Sequence, residues 1–231
     1  MKKTIALCTA LLACGSAFAQ EESEYAVTMD LPVVTKYVFR GVQIAKGSFQ
    51  PSVQLTTGNL YGGVWSSVPL RNKHEEIAST EVDLNVGYMA KLTEKLTADI
   101  GVNGYFYPNK SHDDGDYSVE SFVGLNLELG NFTPKVYVYR DFNLDNYTVQ
   151  GSLGYSVPLK EFGTSLDFSV TAGTVFQDDG EDYNYCGVGV NVPYKLSDRV
   201  KLNVGLSYTA NDLKGVDDPG LWGSASIGIT F

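Results

Sequence analysis

The chain has 231 residues, 43% of them hydrophobic, and its 27 Asp and Glu against 17 Lys and Arg set a formal net charge of −10. That acidity excludes nucleic-acid binding driven by counterion release. Of the three cysteines, Cys8 and Cys14 lie near the start, so only Cys186 is expected in the mature form and no intrachain disulfide can form there.

The chain opens "MKKTIALCTALLACGSAFAQEE". Lys2 and Lys3, the apolar run from Ile5 to Ala13, and Ala17-Phe18-Ala19 before Gln20 read as a secretory signal spanning 1–19 and cleaved after Ala19. Cys14, after Leu11-Leu12-Ala13, leaves a lipoprotein alternative open. Residues 20–24 form a short acidic leader, and 25–231 are expected to form one all-β domain. After the signal no apolar run approaches the ~18 residues of a transmembrane helix.

From Tyr25 onward the pattern is apolar–polar alternation with period two. In "VKLNVGLSYTA", Val200, Leu202, Val204, Leu206 and Tyr208 share one face, while Lys201, Asn203, Gly205, Ser207 and Thr209 share the other. Twelve such segments are predicted: 25–41, 49–57, 60–68, 77–90, 96–107, 117–129, 132–142, 146–157, 164–176, 183–194, 200–210 and 221–231. Their connections alternate in kind. Gly58-Asn59, 91–95, Gly130-Asn131, 158–163 and 195–199 are compact, whereas the others are generally longer and more acidic, among them "PNKSHDDGD", "QDDGED" and "NDLKGVDDPG".

An even number of long strands with short turns on one side predicts a single transmembrane antiparallel β-barrel of about twelve strands, with short periplasmic turns and acidic extracellular loops. A soluble sandwich also alternates, but its strands average ~5 to 6 residues and pack one face on an apolar core. Here the second face is polar in strand after strand. The acidic loops carry no calcium-loop spacing and are read as solvated charge.

If the first segment alternates strictly, Val33, Thr35, Tyr37 and Phe39 face lipid and Lys36, Val38 and Arg40 face the lumen. An arginine on the lipid side at mid-membrane costs ~2 to 4 kcal/mol, which a wet or acid-lined lumen avoids. The same parity places Asp30, Glu81, Asp83, Asp99, Glu120, Glu128 and Asp167 inside, with Lys135 and Lys201. Arg40 and Lys36 are therefore candidates for a selectivity element facing Glu81, Asp83, Asp99, Glu120 and Asp167. The alternative is a structural ion pair across adjacent strands. Gly101, Gly173, Gly187, Gly189 and Gly205 on the lumen face favour an open path, and Tyr105, Phe122, Tyr137, Tyr139 and Tyr185 narrow it. Trp65 is either an interface anchor or a lumen aromatic able to stack on a sugar.

The chain closes "GSASIGITF", with Ile227, Ile229 and Phe231 on one face. This resembles the C-terminal signal read by the barrel assembly machinery. "TKYVFRGVQ", followed by Gln50-Pro51 and then "LYGGVWSSV", resembles the TorF-type family, bacterial proteins assigned as outer-membrane porins and earlier known as conserved hypothetical proteins. The residues that carry the resemblance are Tyr37, Val38, Phe39, Arg40 and Gly41, then Gly63, Trp65, Ser66 and Ser67, with Thr35 where the family often has serine. The resemblance implies an outer-membrane channel and names no solute.

The expected function is passive diffusion of small hydrophilic solutes or ions across the outer membrane, with cation preference from the acidic loops. The other reading is a closed barrel whose lumen is blocked by its own ion pairs, acting as a structural or surface-binding protein. Partners are the solutes, outer-membrane lipid and the assembly machinery during insertion; no cofactor or metal is expected. Nor is an enzyme: His74 and His112 fall in predicted loops, without a nucleophile elbow or a metal-ligand pair.

Overall fold

The computed structural model describes residues 25–70, 80–110, 115–178 and 180–231. The signal peptide, the acidic leader, Cys8, Cys14, His74 and His112 lie outside the described residues. Among the described residues fifteen strands occur in chain order: β1 (Tyr25–Val34), β2 (Tyr37–Phe39), β3 (Val42–Ala45), β4 (Ser48–Phe49), β5 (Ser52–Thr57), β6 (Leu60–Pro69), β7 (Glu81–Lys91), β8 (Leu96–Phe106), β9 (Tyr117–Leu127), β10 (Phe132–Asp141), β11 (Tyr147–Leu159), β12 (Thr164–Phe176), β13 (Tyr183–Lys195), β14 (Val200–Asn211) and β15 (Gly220–Thr230). β4 and β5 both pair with β1 and β6, so they are two pieces of one stave interrupted at Gln50-Pro51. Each remaining stave pairs antiparallel with its chain neighbours, and β15 pairs with β1 from Thr28↔Thr230 to Val34↔Ser224. The result is a closed barrel of twelve staves, and closure leaves no open sheet edge.

The alternation seen in the sequence sorts the side chains. Val86, Ile100, Val170 and Val188 are 52–59% exposed on the outer face, whereas Glu120, Ser67 and Thr148 are at most 1% exposed inside. A soluble protein buries the first set and solvates the second, so this barrel is built for an apolar surround. No helix among the described residues is long and apolar enough to cross a membrane, and the strands do the spanning. Compact turns hold one rim: the Thr93 hydroxyl accepts the backbone N–H groups of Lys95 and Leu96, and the Ser197 hydroxyl those of Arg199 and Val200. Both chain ends of the barrel lie on this turn side.

One predicted strand is corrected. The segment 25–41 was expected to be a single wall strand, but wall pairing of β1 ends at Val34. The Thr35 N–H still donates to the Gly223 carbonyl at 2.9 Å, and the Gly223 N–H donates to the Thr35 hydroxyl at 2.9 Å. The chain then bends, and β2 and β3 pair only with each other as a hairpin folded inward. Phe39 faces Val42 across a two-residue turn in which Arg40 (φ 46) and Gly41 (φ 82) both take positive φ. That is the signature of a type I′ turn, whose twist suits a two-residue hairpin. Glycine takes this conformation freely; a left-handed arginine costs on the order of 1–3 kcal/mol and persists only where its surroundings hold it.

Candidate channel constriction

The inward hairpin reaches from the gap between β1 and β4 across the loop-side end of the lumen. At its base the Lys36 ammonium donates to the Pro219 carbonyl, next to the start of β15. Tyr37 donates its hydroxyl to Glu81 Oε2 at 3.0 Å and its ring lies 5.4 Å from that of Trp65. At the tip Arg40 Nη2 stands 2.7 Å from Glu120 Oε2, with 12% of the arginine side chain and 1% of the glutamate side chain exposed. Among the described residues no donor is aligned on Glu120 Oε2, so this contact is one of charge. The guanidinium also lies 4.7 Å from the ring centroids of Phe39 and Tyr139, within cation–π range.

On the other side of the tip, Asn211 Nδ2 donates to the Gly41 carbonyl at 2.9 Å. A Cβ at Gly41 would meet the Tyr185 Cβ at 2.4 Å, so the glycine is required by close approach as well as by its φ. Val42 packs on the cluster formed by Val175, Tyr183 and Tyr185.

Beside the hairpin, the wall from β6 to β10 carries carboxylates held by tyrosines. Glu81 accepts from Tyr37 and from Tyr107 (3.2 Å), and Glu120 from Tyr105 (2.8 Å). Closer to the turns, Asp99 accepts from Tyr61 at 2.9 Å and from Tyr137 at 2.8 Å, while Asn126 donates to the Tyr137 hydroxyl. A buried carboxylate stripped of water is stabilised by such charge-assisted bonds, each contributing about 1.5–3 kcal/mol.

The opposite wall, β11 to β15, is different. Its lumen face pairs Ser169↔Gly189↔Ser207↔Trp222 in one row and Thr171↔Gly187↔Thr209 in the next. A cavity of about 310 Å³ lies between this wall and the hairpin residues Val38, Arg40 and Gly41. A larger concavity of about 760 Å³ is lined mostly by outward-facing residues of β11 to β14, among them Val149, Ala172 and Cys186.

The predicted site residues are thus dispersed over the lumen. Arg40 and Glu120 meet. Lys36 does not join them, because it ties the hairpin base to Pro219 at the rim. Glu81 holds the hairpin base; Asp83 lines the wall opposite Trp65 in register, its Oδ1 buried and without a hydrogen-bond partner among the described residues; Asp99 belongs to the deeper tyrosine network. Asp167 stands near the turn side, accepting from Ser156 at 2.6 Å. Glu128 falls just past the end of β9, in the turn.

Tyr37 and Phe39, expected to face lipid, are lumen residues: Tyr37 is buried, and Phe39 packs edge-on against Tyr105 at 6.1 Å. Trp65 is also on the lumen face, which excludes the interface anchor. Gly101 and Gly173 do not open the path. A Cβ at either would meet the ring of Phe122 or the hydroxyl of Tyr185 at 2.5 Å, so each glycine is the seat of an aromatic side chain. Asp141, at the end of β10, is buried and accepts from Ser118 and from the backbone of Asn143 and Leu144. At the rim, Asp212 is held below the usual carboxylate range by hydrogen bonds from the Asn184 side chain and backbone. Among the described residues no three His, Cys, Asp or Glu side chains are grouped to hold a metal.

Solved structures share this architecture, among them three of porins. KdgM porin in complex with disordered oligogalacturonate superposes with a TM-score of 0.61 at 8% identity, over 89% of this chain and 99% of that one. A second structure of KdgM porin gives 0.58 at 11% identity over 88% and 99% of the two chains. NanC porin gives 0.55 at 12% identity over 88% and 98%. At these identities the likeness is one of fold. No curated protein matches the chain by sequence. The family described as "Bacterial protein of unknown function (Gcw_chp)" matches residues 18–230, nearly the whole chain, and the protein belongs to that family.

Proposed function

We propose that the protein is an outer-membrane channel of the TorF type that passively conducts small hydrophilic solutes and ions, with preference for cations. The observation that carries this reading is the inward hairpin: it narrows a polar lumen yet leaves a cavity of about 310 Å³ along the β11–β15 wall. A barrel of this size falls between the filled interior of about eight strands and the aqueous channel of sixteen to eighteen. Cation preference rests on charge. Arg40 is neutralised by Glu120, while among the described residues Asp83 and Asp99 have no cationic hydrogen-bond partner, and the chain as a whole is acidic. A negative interior and mouth concentrate cations, an effect that salt weakens. Export by the 1–19 signal and insertion guided by Ile227, Ile229 and Phe231 complete the proposal.

Single-channel recording of the refolded protein in a planar bilayer under a KCl gradient tests it. Discrete steps with a cation-selective reversal potential are expected, and Arg40→Ala enlarges the conductance by freeing the hairpin tip. Anion selectivity overturns the charge argument. The fastening of the hairpin at both base and tip favours a second reading, a barrel closed in its resting state. Silent membranes from both proteins, with heat-modifiable migration proving that the barrels are folded, decide for it.

A further inference from the structure

We infer that the hydroxyl-lined wall beneath the hairpin tip is a binding site for a neutral saccharide; this rests on the channel reading and names the solute class for it. The β11–β15 wall at this level holds neither a carboxylate nor an ammonium. Ser169, Thr171, Ser207 and Thr209 present four hydroxyls in adjacent register rows, and Gly187 and Gly189 stand between them. A Cβ at Gly189 would come within 2.9 Å of Ser169 Oγ and 3.0 Å of Ser207 Oγ, so the glycine lets both hydroxyls approach one spot.

Trp222 ends the first row, directly opposite Ser207, with its indole N–H donating to Thr209 Oγ1 at 3.1 Å. That bond fixes the ring at the edge of the hydroxyl lattice. On the neighbouring strand Gln150 accepts from the Tyr185 hydroxyl at 2.6 Å, which orients its amide and leaves the NH₂ group as a donor. An aromatic face beside an array of oriented hydroxyl and amide groups matches a sugar ring, which offers an apolar C–H face and a rim of hydroxyls.

The charge of the hairpin points the same way. The Arg40 guanidinium turns to Glu120 and the Tyr139 ring, so the nearest cation is already paired and does not call for an anionic ligand. On this wall Asp167 and Lys201 lie toward the turns, and Lys201 flanks Gly228 in register with Asp30 of β1 on its other side. The cavity of about 310 Å³ is at the lower end of the ~300–1,000 Å³ of small-molecule sites, which limits the ligand to one or a few sugar rings.

The test uses maltotriose as the neutral probe, with glucuronate and glucosamine as charged counterparts, in two assays. In planar bilayers, maltotriose is expected to interrupt the ion current at millimolar concentration, glucuronate and glucosamine more weakly. Trp222→Ala is expected to weaken the maltotriose effect at least about fivefold. The chain has two tryptophans, so in a Trp65→Phe background the emission of Trp222 reports occupancy without requiring any current. A saturable emission change with maltotriose upholds the saccharide site even if the membranes stay silent, in which case only the channel reading falls. Ion current without any response to maltotriose in either assay overturns the site and leaves the channel intact. A stronger response to glucuronate or glucosamine overturns the assignment of a neutral ligand.

Discussion

Glu120→Gln should undock the hairpin. The substitution keeps the shape of the side chain and the acceptor that receives the Tyr105 hydroxyl, but it removes the charge facing Arg40 at 2.7 Å. The guanidinium is left 12% exposed with its counter-charge gone. Removing one partner of a buried ion pair costs about 3–5 kcal/mol. Two further terms decide where that cost falls. Arg40 already holds a positive φ worth about 1–3 kcal/mol of strain, which the pair helps to offset. The wall itself loses nothing, because β9 keeps its full ladders to β8 and β10. The loss therefore appears as local opening of residues 37–45 rather than as unfolding of the barrel. Roughly 3–5 kcal/mol corresponds to about 10²–10⁴-fold more frequent opening. Hydrogen exchange of the backbone amides read by mass spectrometry on peptides covering β2 and β3 measures this directly, with β9 and β10 as internal controls. Unchanged exchange across 37–45, with the barrel intact, refutes the claim that the Arg40–Glu120 pair holds the hairpin in the lumen.

Gly124→Ala should destabilise the barrel by about 1–3 kcal/mol, because the new Cβ would lie 2.3 Å from the Tyr137 ring, whose displacement breaks its bonds to Asp99 and Asn126. The urea midpoint of heat-modifiable migration measures it, and an unchanged midpoint shows that the ring has room to move. At the rim, the depressed pKa of Asp212 means that its tie to Asn184 is fully present above the unfolded carboxylate value and is lost as pH falls through the folded one. Carboxyl-carbon NMR should place the Asp212 midpoint below ~3.9, and Asn184→Ala should raise it while leaving the backbone donor. A midpoint that does not move assigns the shift to the backbone bond alone.

Wall parity was legible because it is a local property of the chain. A strand turns alternate side chains to opposite faces whatever its partners are, so "VKLNVGLSYTA" declares its two faces before any neighbour is known. Glu81, Asp83, Asp99, Glu120 and Asp167 are expected in the lumen on that ground, and Glu81, Asp99 and Glu120 are buried in the barrel. The glycines were likewise placed on the correct face. What each one seats could not be read, since the ring over Gly101 comes from Phe122 on the next strand and the ring over Gly173 from Tyr185.

"TKYVFRGVQ" alternates as well as any wall strand, and an arginine before the glycine is a weaker turn signal than asparagine or aspartate. The segment leaves the wall because of partners far along the chain: Glu81 is 44 residues from Tyr37, Asn211 is 170 residues from Gly41, and Pro219 is 183 residues from Lys36. The sequence by itself determined the number of staves, the polar interior and the two kinds of rim, all consequences of period-two chemistry and turn length. Only the closed barrel decided that the hairpin enters the lumen, because closure alone brings β7, β9 and β14 within reach of one short loop and lets their charges and donors outweigh the strain at Arg40.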